Sequence, residues 1–205
     1  MRTEYPSVLG HASPLKIMIW AAAGLAVVAG SVALAHMLRH GFSARDEPTR
    51  VEVLLARAMR HYAVPADIRG QTNPSALTPG LLAEAKAHFA DHCASCHGND
   101  GRGQTSIGQR LYPRAPDMTQ PATQSQSDGE LFATIENGIR LTGMPAWGDG
   151  SAKSAQDSWA LVHFIRHLPQ LAPEEVEAMK ALNPKTREEW QAEAEAEAFL
   201  KGGGP

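Results

Sequence analysis

The chain has 205 residues, 43% hydrophobic and 20% charged, and a net charge of −3. That balance suits one globular domain with extensions and a single apolar segment. It excludes the basic footprint that a nucleic-acid binder carries. Charge is unevenly spread: residues 39–78 hold six Arg/Lys against four Asp/Glu, and residues 170–205 hold four against eight. This mild asymmetry identifies no partner.

Residues 1–16 read as a short polar tail, with Arg2 and Lys16 its strong cations. Ile17 to Leu38 is apolar apart from Ser31 and His36. Twenty-two helical residues span ~33 Å, enough for a hydrocarbon core of ~30 Å. Trp20 lies near one end, where an aromatic anchor is expected. Ala33-Leu34-Ala35 also resembles a signal-peptidase site, so cleavage is the competing reading. The apolar run exceeds the usual signal h-region, and an uncleaved anchor is expected. Arg39, Arg45 and Arg50 after the span outnumber the cations before it, which by positive-inside counting favours a cytoplasmic C-terminal side. Cys93-Ala94-Ser95-Cys96-His97 further along has the C-x-x-C-H spacing of a haem c attachment site, and such attachment takes place outside the bacterial cytoplasm, which argues the reverse; long domains also translocate largely regardless of charge. The expectation is therefore a single-pass protein of the bacterial cytoplasmic membrane, with the bulk of the chain in the periplasm.

Pro48 to Tyr62 has apolar residues at 51, 54, 55, 58, 59 and 62, a helical spacing. Residues 63–78, with Pro65, Gly70, Asn73 and Pro74, read as an extended linker. Thr78-Pro79 is an N-cap followed by Pro at the first helical position. The helix it opens runs into Cys93-Ala94-Ser95-Cys96-His97, with Leu82, Ala85, Phe89, Cys93 and Cys96 on one face. This is a C-x-x-C-H motif, and it holds both cysteines of the chain. Two thiols three positions apart can each form a thioether to a haem vinyl group, with the next imidazole under the iron. A redox disulfide would need a βαβ context, and none is visible. A zinc site would need two more ligands at a suitable spacing. His88 and His92 lie on the same helix without a second C-x-x-C.

Residues 98–127 are rich in Gly, Pro, Gln, Ser and Thr and read as one long loop. Such a loop is unusual in a compact domain unless it wraps something, and a haem supplies that core. Asp128 to Arg140 reads as a helix, 141–150 as a loop, and Gln156 to Leu168 as an apolar helix stopped by Pro169. Pro173 to Leu182 reads as a further helix. A capping box at Thr186 and Glu189 opens a last one to about Lys201. Trp190, Ala194 and Phe199 are expected to dock this last helix on the body. The Gly-Gly-Gly-Pro end is expected to fray. His163 and His167 are four apart but lack a third ligand, and solvent exposure is the expectation for them and for His88 and His92.

With His97 as proximal ligand, the sixth position decides function: a closed iron passes electrons and an open one binds small molecules. Of seven Met residues, Met144 stands in Gly143-Met144-Pro145-Ala146-Trp147, between two helices and 47 residues past His97. A lone Met is ordinarily core filler. A thioether held in a stiff Gly-Met-Pro loop suits the face opposite His97. Tyr112, Arg114 and Trp147 are candidates for contacts with haem propionates or the pocket wall, against plain packing or solvated charge. No nucleophile triad, phosphate loop or catalytic carboxylate pair stands out.

On these residues the segment from about Thr78 to Leu168 resembles the class I cytochrome c family. Cys93, Cys96, His97 and Met144 match the attachment and axial positions, and Gly98, Gly101 and Gly103 match the glycines that follow. Ala85 and Phe89 match the small and aromatic residues that cross the last core helix at Leu161 and Phe164. Pro116-Asp117-Met118 resembles the Pro-x-Leu element whose Pro carbonyl accepts from the proximal His, with Met in place of Leu. The resemblance implies an all-α fold around one covalent haem c with an exposed edge. The expected organisation is tail 1–16, anchor 17–38, juxtamembrane helix and linker 39–77, haem domain 78–169 and helical extension 170–205. The expected function is a membrane-tethered one-electron carrier between a redox protein donor and an acceptor, not an enzyme. A fixed cytochrome subunit of a dehydrogenase or oxidase complex is the alternative, and an open-iron enzyme or gas sensor the third reading.

Overall fold

The computed structural model describes residues 13–40 and 43–201. The tail up to residue 12 and the Gly-Gly-Gly-Pro end lie outside the described residues. The fold is all-α, with no strand among the described residues. The chain divides into two units, 1–43 and 44–205.

Among the described residues of the first unit the regular structure is the helix α1 (Pro14–His40). It is long and apolar enough to cross a membrane, and none of its described side chains is buried within the protein. This fits a chain that crosses a membrane once.

The second unit contains α2 (Arg50–Ala63), α3 (Ala66–Arg69), α4 (Pro79–His88), α5 (Ala94–His97), α6 (Pro121–Gln124), α7 (Asp128–Asn137), α8 (Ala152–His167), α9 (Pro173–Met179) and α10 (Arg187–Leu200). Its core is the crossing of α4 on α8. Phe89 meets Phe164 with ring centroids 4.9 Å apart, and both are fully buried beside Ala85, Leu161 and Val162. Burial of each such aromatic stabilises the fold by about 1.5–3 kcal/mol. Phe132 of α7 stacks on Trp159 of α8 at 4.2 Å. Arg166 of α8 grips Asp128 through two nitrogens, at 2.8 and 3.0 Å, and donates to the carbonyls of Gln124 and Gln126. One guanidinium thereby binds α8 to the start of α7 and to the loop before it.

Thr78 caps α4 by accepting from the Leu81 amide, as its sequence signature predicts. The expected single helix into the cysteine motif is instead interrupted by a π turn at Phe89–Cys93. Phe89 and Ala90 are consecutive and both buried. The wider turn lets both face the core before the chain resumes an α register at Ala94.

The linker expected at 63–78 is less extended than its composition suggests, because α3 forms within it. Gly129 explains the docking of α3: a Cβ there would lie 1.8 Å from the Ile68 carbonyl oxygen. The rest of the linker is laced to the body. Asn73 donates to the Trp159 carbonyl at 2.7 Å, and the His163 ring meets the Ser75 carbonyl at 2.8 Å. His163 is thus half-buried and hydrogen-bonded, not solvated as expected. His88 and His167 are also half-buried.

At the other end, α9 returns to the core. Met179 is fully buried, and Lys86 of α4 pairs with Glu175 at 3.1 Å. The last helix, α10, forms behind its Thr186–Glu189 capping box but does not dock through the residues expected to hold it. Trp190 is 61% exposed and Phe199 73%. Lys185 lies over the Trp190 ring instead, 4.9 Å from its centroid.

Gly129→Ala is expected to destabilise the protein by about 1–3 kcal/mol, because α3 must move off α7; Phe164→Ala should cost about 3–5 kcal/mol. Chemical denaturation followed by circular dichroism measures both, and a Gly129 variant as stable as wild type would contradict the close approach. A second expectation concerns acid. Burial raises the Glu130 carboxyl, but the Ser127 amide and the His61 ring outweigh it and hold the group below its ordinary value. The folded value being the lower one, its stabilisation is present above about pH 4.3 and is lost as pH falls through the folded value. Glu130→Gln should cost roughly 1 kcal/mol at pH 7 and flatten the stability profile below about pH 4.3.

Candidate haem-binding site

The π turn and α5 deliver the cysteine motif. Both thiols are free of any disulfide and half-buried. Burial, reinforced by the neighbouring Cys96, pushes the Cys93 thiol up to about 12. The motif is fixed from below by the loop that follows. The Gly103 amide donates to the His97 carbonyl at 2.7 Å. Thr105 donates to the Cys96 carbonyl at 3.0 Å and accepts from the Gly108 amide at 2.8 Å. The Met118 amide reaches the Gly101 carbonyl at 2.8 Å, and Met118 itself is buried in the core. Gly98, Gly101 and Gly103 all take positive φ. The loop expected over 98–127 is therefore short of repeating structure yet closely tied, with α6 and a single 3₁₀ turn at Gly108–Arg110.

His97 has a buried Nδ1 that makes no hydrogen bond of normal geometry. Burial lowers the ring's pKa, while the Pro116 carbonyl acts against that lowering and so lies beside the ring. The donor set and the orphaned nitrogen suit a covalently held haem c: two free thiols, an adjacent imidazole and a carbonyl for its second nitrogen. No cluster of His, Cys, Asp or Glu able to hold a metal ion occurs among the described residues, and neither histidine pair forms one.

The Met144 loop is built on the end of α7. Its amide donates to Thr142 Oγ1 at 3.1 Å, and its carbonyl accepts from the Ile139 amide at 3.1 Å. The amides of Trp147 and Gly148 return to the carbonyls of Ile135 and Glu136 at 3.0 Å. Gly138 makes this return possible: its φ is +62°, and a Cβ there would sit 2.5 Å from the Pro145 carbonyl carbon. The thioether is thus presented half-buried from a backbone pinned on both sides. Trp147 joins this loop to the segment bearing the cysteines, its ring edge-to-face with that of His92, the ring centroids 5.2 Å apart.

Tyr112 and Arg114 are placed beside α2 and the residues just before it. The Tyr112 hydroxyl donates to Glu52, and Arg114 pairs with Glu47 at 3.0 Å. Trp147 packs partly into the core. Sequence reasoning passed over Thr105 and the His92–Trp147 contact. A Thr followed three residues later by a Gly was the available signal for the first. The second joins residues 55 positions apart and leaves no local trace.

Comparison with known proteins finds cytochrome c oxidase subunits over the same stretch of chain. The family described as "Cytochrome C oxidase, cbb3-type, subunit III" matches residues 80–165. The chain is 34% identical over 119 residues to the cbb3-type cytochrome c oxidase subunit FixPc of Rhizobium leguminosarum bv. viciae, covering 54% of this chain and 37% of that one. It is 31% identical over 132 residues to subunit FixP of Rhizobium meliloti, covering 58% and 41%. A third relative, subunit CcoP of Cereibacter sphaeroides, is 34% identical over 80 residues, covering 39% and 24%. The chain thus spans well under half the length of the curated relatives it matches. The matched segment, residues 80–165, runs from α4 into the core helix α8 and contains the cysteine motif and the Met144 loop, so the resemblance to cytochrome c subunits falls on the candidate haem site.

Proposed function

We propose that this chain is the haem-c-bearing, membrane-anchored subunit of a cbb3-type cytochrome c oxidase, passing single electrons to a partner subunit. The observation that carries the reading is the oxidase-subunit family match falling on the segment that holds Cys93, Cys96, His97 and Met144. The names of its relatives point the same way. The fixed subunit therefore replaces the free shuttle expected from the sequence as the leading reading. The span α1 would hold the chain in the bacterial cytoplasmic membrane, with the haem domain on the periplasmic side.

In this reading Cys93 and Cys96 would hold one haem c through thioether links, and His97 and Met144 would hold its iron. When bound, haem c supplies a one-electron couple between ferrous and ferric iron. The residues of the chain set its conditions. The Pro116 carbonyl, which lies beside the ring, would orient His97 by accepting from Nδ1 once the ring binds iron. The neutral Met144 thioether favours the ferrous state and raises the potential. The pinned loop would keep that thioether in place and so exclude small molecules from the iron. Trp147 walls the pocket. Arg114 retains donors beyond its pairing with Glu47 and, with Tyr112, remains a propionate contact in this proposal.

Three outcomes are expected. Haem should remain with the protein through acid–acetone extraction, and a Cys93→Ala, Cys96→Ala variant should lose it; complete extraction from wild type would contradict covalent attachment. Met144→Ala should abolish the near-infrared sulfur-to-iron band of the ferric protein, lower the potential and admit carbon monoxide. Met118→Leu should do none of these, since it is a volume-conserving change in the core. Finally, the chain should migrate with oxygen-reducing activity on native gels of detergent-solubilised membranes. Migration alone would favour the free carrier instead.

A further inference from the structure

The helix α2 is amphipathic, but it is placed the wrong way round for a core helix. Val51, Leu54, Leu55, Ala58, Met59 and Tyr62 form one continuous stripe. Every one of them is exposed: Leu54 at 68%, Met59 at 71% and Tyr62 at 82%. No residue of the helix is buried. Its polar side does the docking, on the haem domain and on α3. Glu52 accepts from Tyr112, His61 meets Glu130 at 2.7 Å, and the carbonyl of His61 accepts from Arg69. The helix does not depend on burial to start, because Thr49 and Glu52 form a complete capping box. A stripe of this size left open on a fixed helix calls for a covering partner.

Two observations identify that partner as lipid. The first is reach. Only nine residues, 41–49, separate the end of α1 from the start of α2. Fully extended they span at most about 32 Å. If α1 crosses a membrane, α2 therefore begins within that distance of the membrane surface, and its stripe faces an apolar phase that is already close. The second is charge. On the helical wheel Arg50 and Arg57 border the stripe on one side, both are exposed, and neither takes part in an ion pair among the described residues. Cations bordering an apolar stripe are the arrangement that seats a helix among anionic headgroups.

We propose that α2 lies in the headgroup layer of the membrane that α1 crosses, with its stripe from Val51 to Tyr62 in the acyl boundary and Arg50 and Arg57 on anionic lipid headgroups. The proposal rests on α1 being a span. It goes beyond the oxidase reading, because it gives α2 a lipid contact of its own, independent of any partner subunit.

The test uses the full-length haem-loaded chain in vesicles of phosphatidylcholine and phosphatidylglycerol, with no other protein. Single nitroxide labels are placed through Ala26→Cys in α1 and Leu55→Cys or Met59→Cys in α2, and the chain without an added cysteine sets the background. Collisions with oxygen report lipid, and collisions with a water-soluble nickel complex report solvent. The expected result is a several-fold excess of oxygen over nickel collisions at 26, 55 and 59. Nickel access at 55 and 59 with oxygen preference at 26 would overturn the proposal and leave the span intact. Protection from both quenchers at 55 and 59 would mean that protein, such as a second copy, covers the stripe, and would also overturn it. Nickel access at 26 would remove the span and the proposal together.

Discussion

The crossing of α4 on α8 is the contact on which the rest of the structure depends. Phe89 and Phe164 are both fully buried at that crossing. Phe89 is also the first residue of the π turn that ends at Cys93. The residue that anchors the core is therefore four positions from the first thiol. Any loosening of the crossing moves the cysteine motif with it. The same helix α8 receives Asp128 through Arg166, which sets the start of α7. The far end of α7 in turn carries the Met144 loop. The two candidate ligands, His97 and Met144, are thus referred to one helix by two separate routes.

Between those routes the chain has little apolar material of its own. The loop from 98 to 118 is held by backbone pairs and by the Thr105 hydroxyl, not by a packed layer of side chains. Such a loop keeps its form because nearly every turn of it returns to the cysteine motif or to the core at Met118. The orphaned Nδ1 of His97 is the exception. A buried donor without a well-made bond costs stability unless function requires it. A proximal ligand oriented by the Pro116 carbonyl would supply that requirement.

Much of this could be read along the chain because the signals are local. The C-x-x-C-H spacing, the Thr78-Pro79 cap, the apolar face of α8 and the apolar run of α1 each lie within one element. The Ala85, Phe89, Leu161 and Phe164 crossing was legible only through resemblance, since nothing in periodicity says which helices meet. The failures are of the same kind. The π turn arises because consecutive residues are buried by tertiary packing. Residues 66–69 are helical because Gly129 offers a socket 60 positions away. Trp190 and Phe199 look like docking residues on a wheel, yet both stay exposed among the described residues. His163 looks like a solvated surface residue, yet the linker carbonyl of Ser75 comes to it. Whether the chain acts freely or in a complex is also not a local property, and the relatives' names, not the residues, favour the complex.

The central claim is that His97 and Met144 close the two faces of one haem iron. X-ray absorption at the iron edge of the purified ferrous protein addresses it without mutation. The account predicts a six-coordinate iron with five nitrogen neighbours and one sulfur. A five-coordinate iron, or a sixth neighbour that is nitrogen or oxygen, would contradict it.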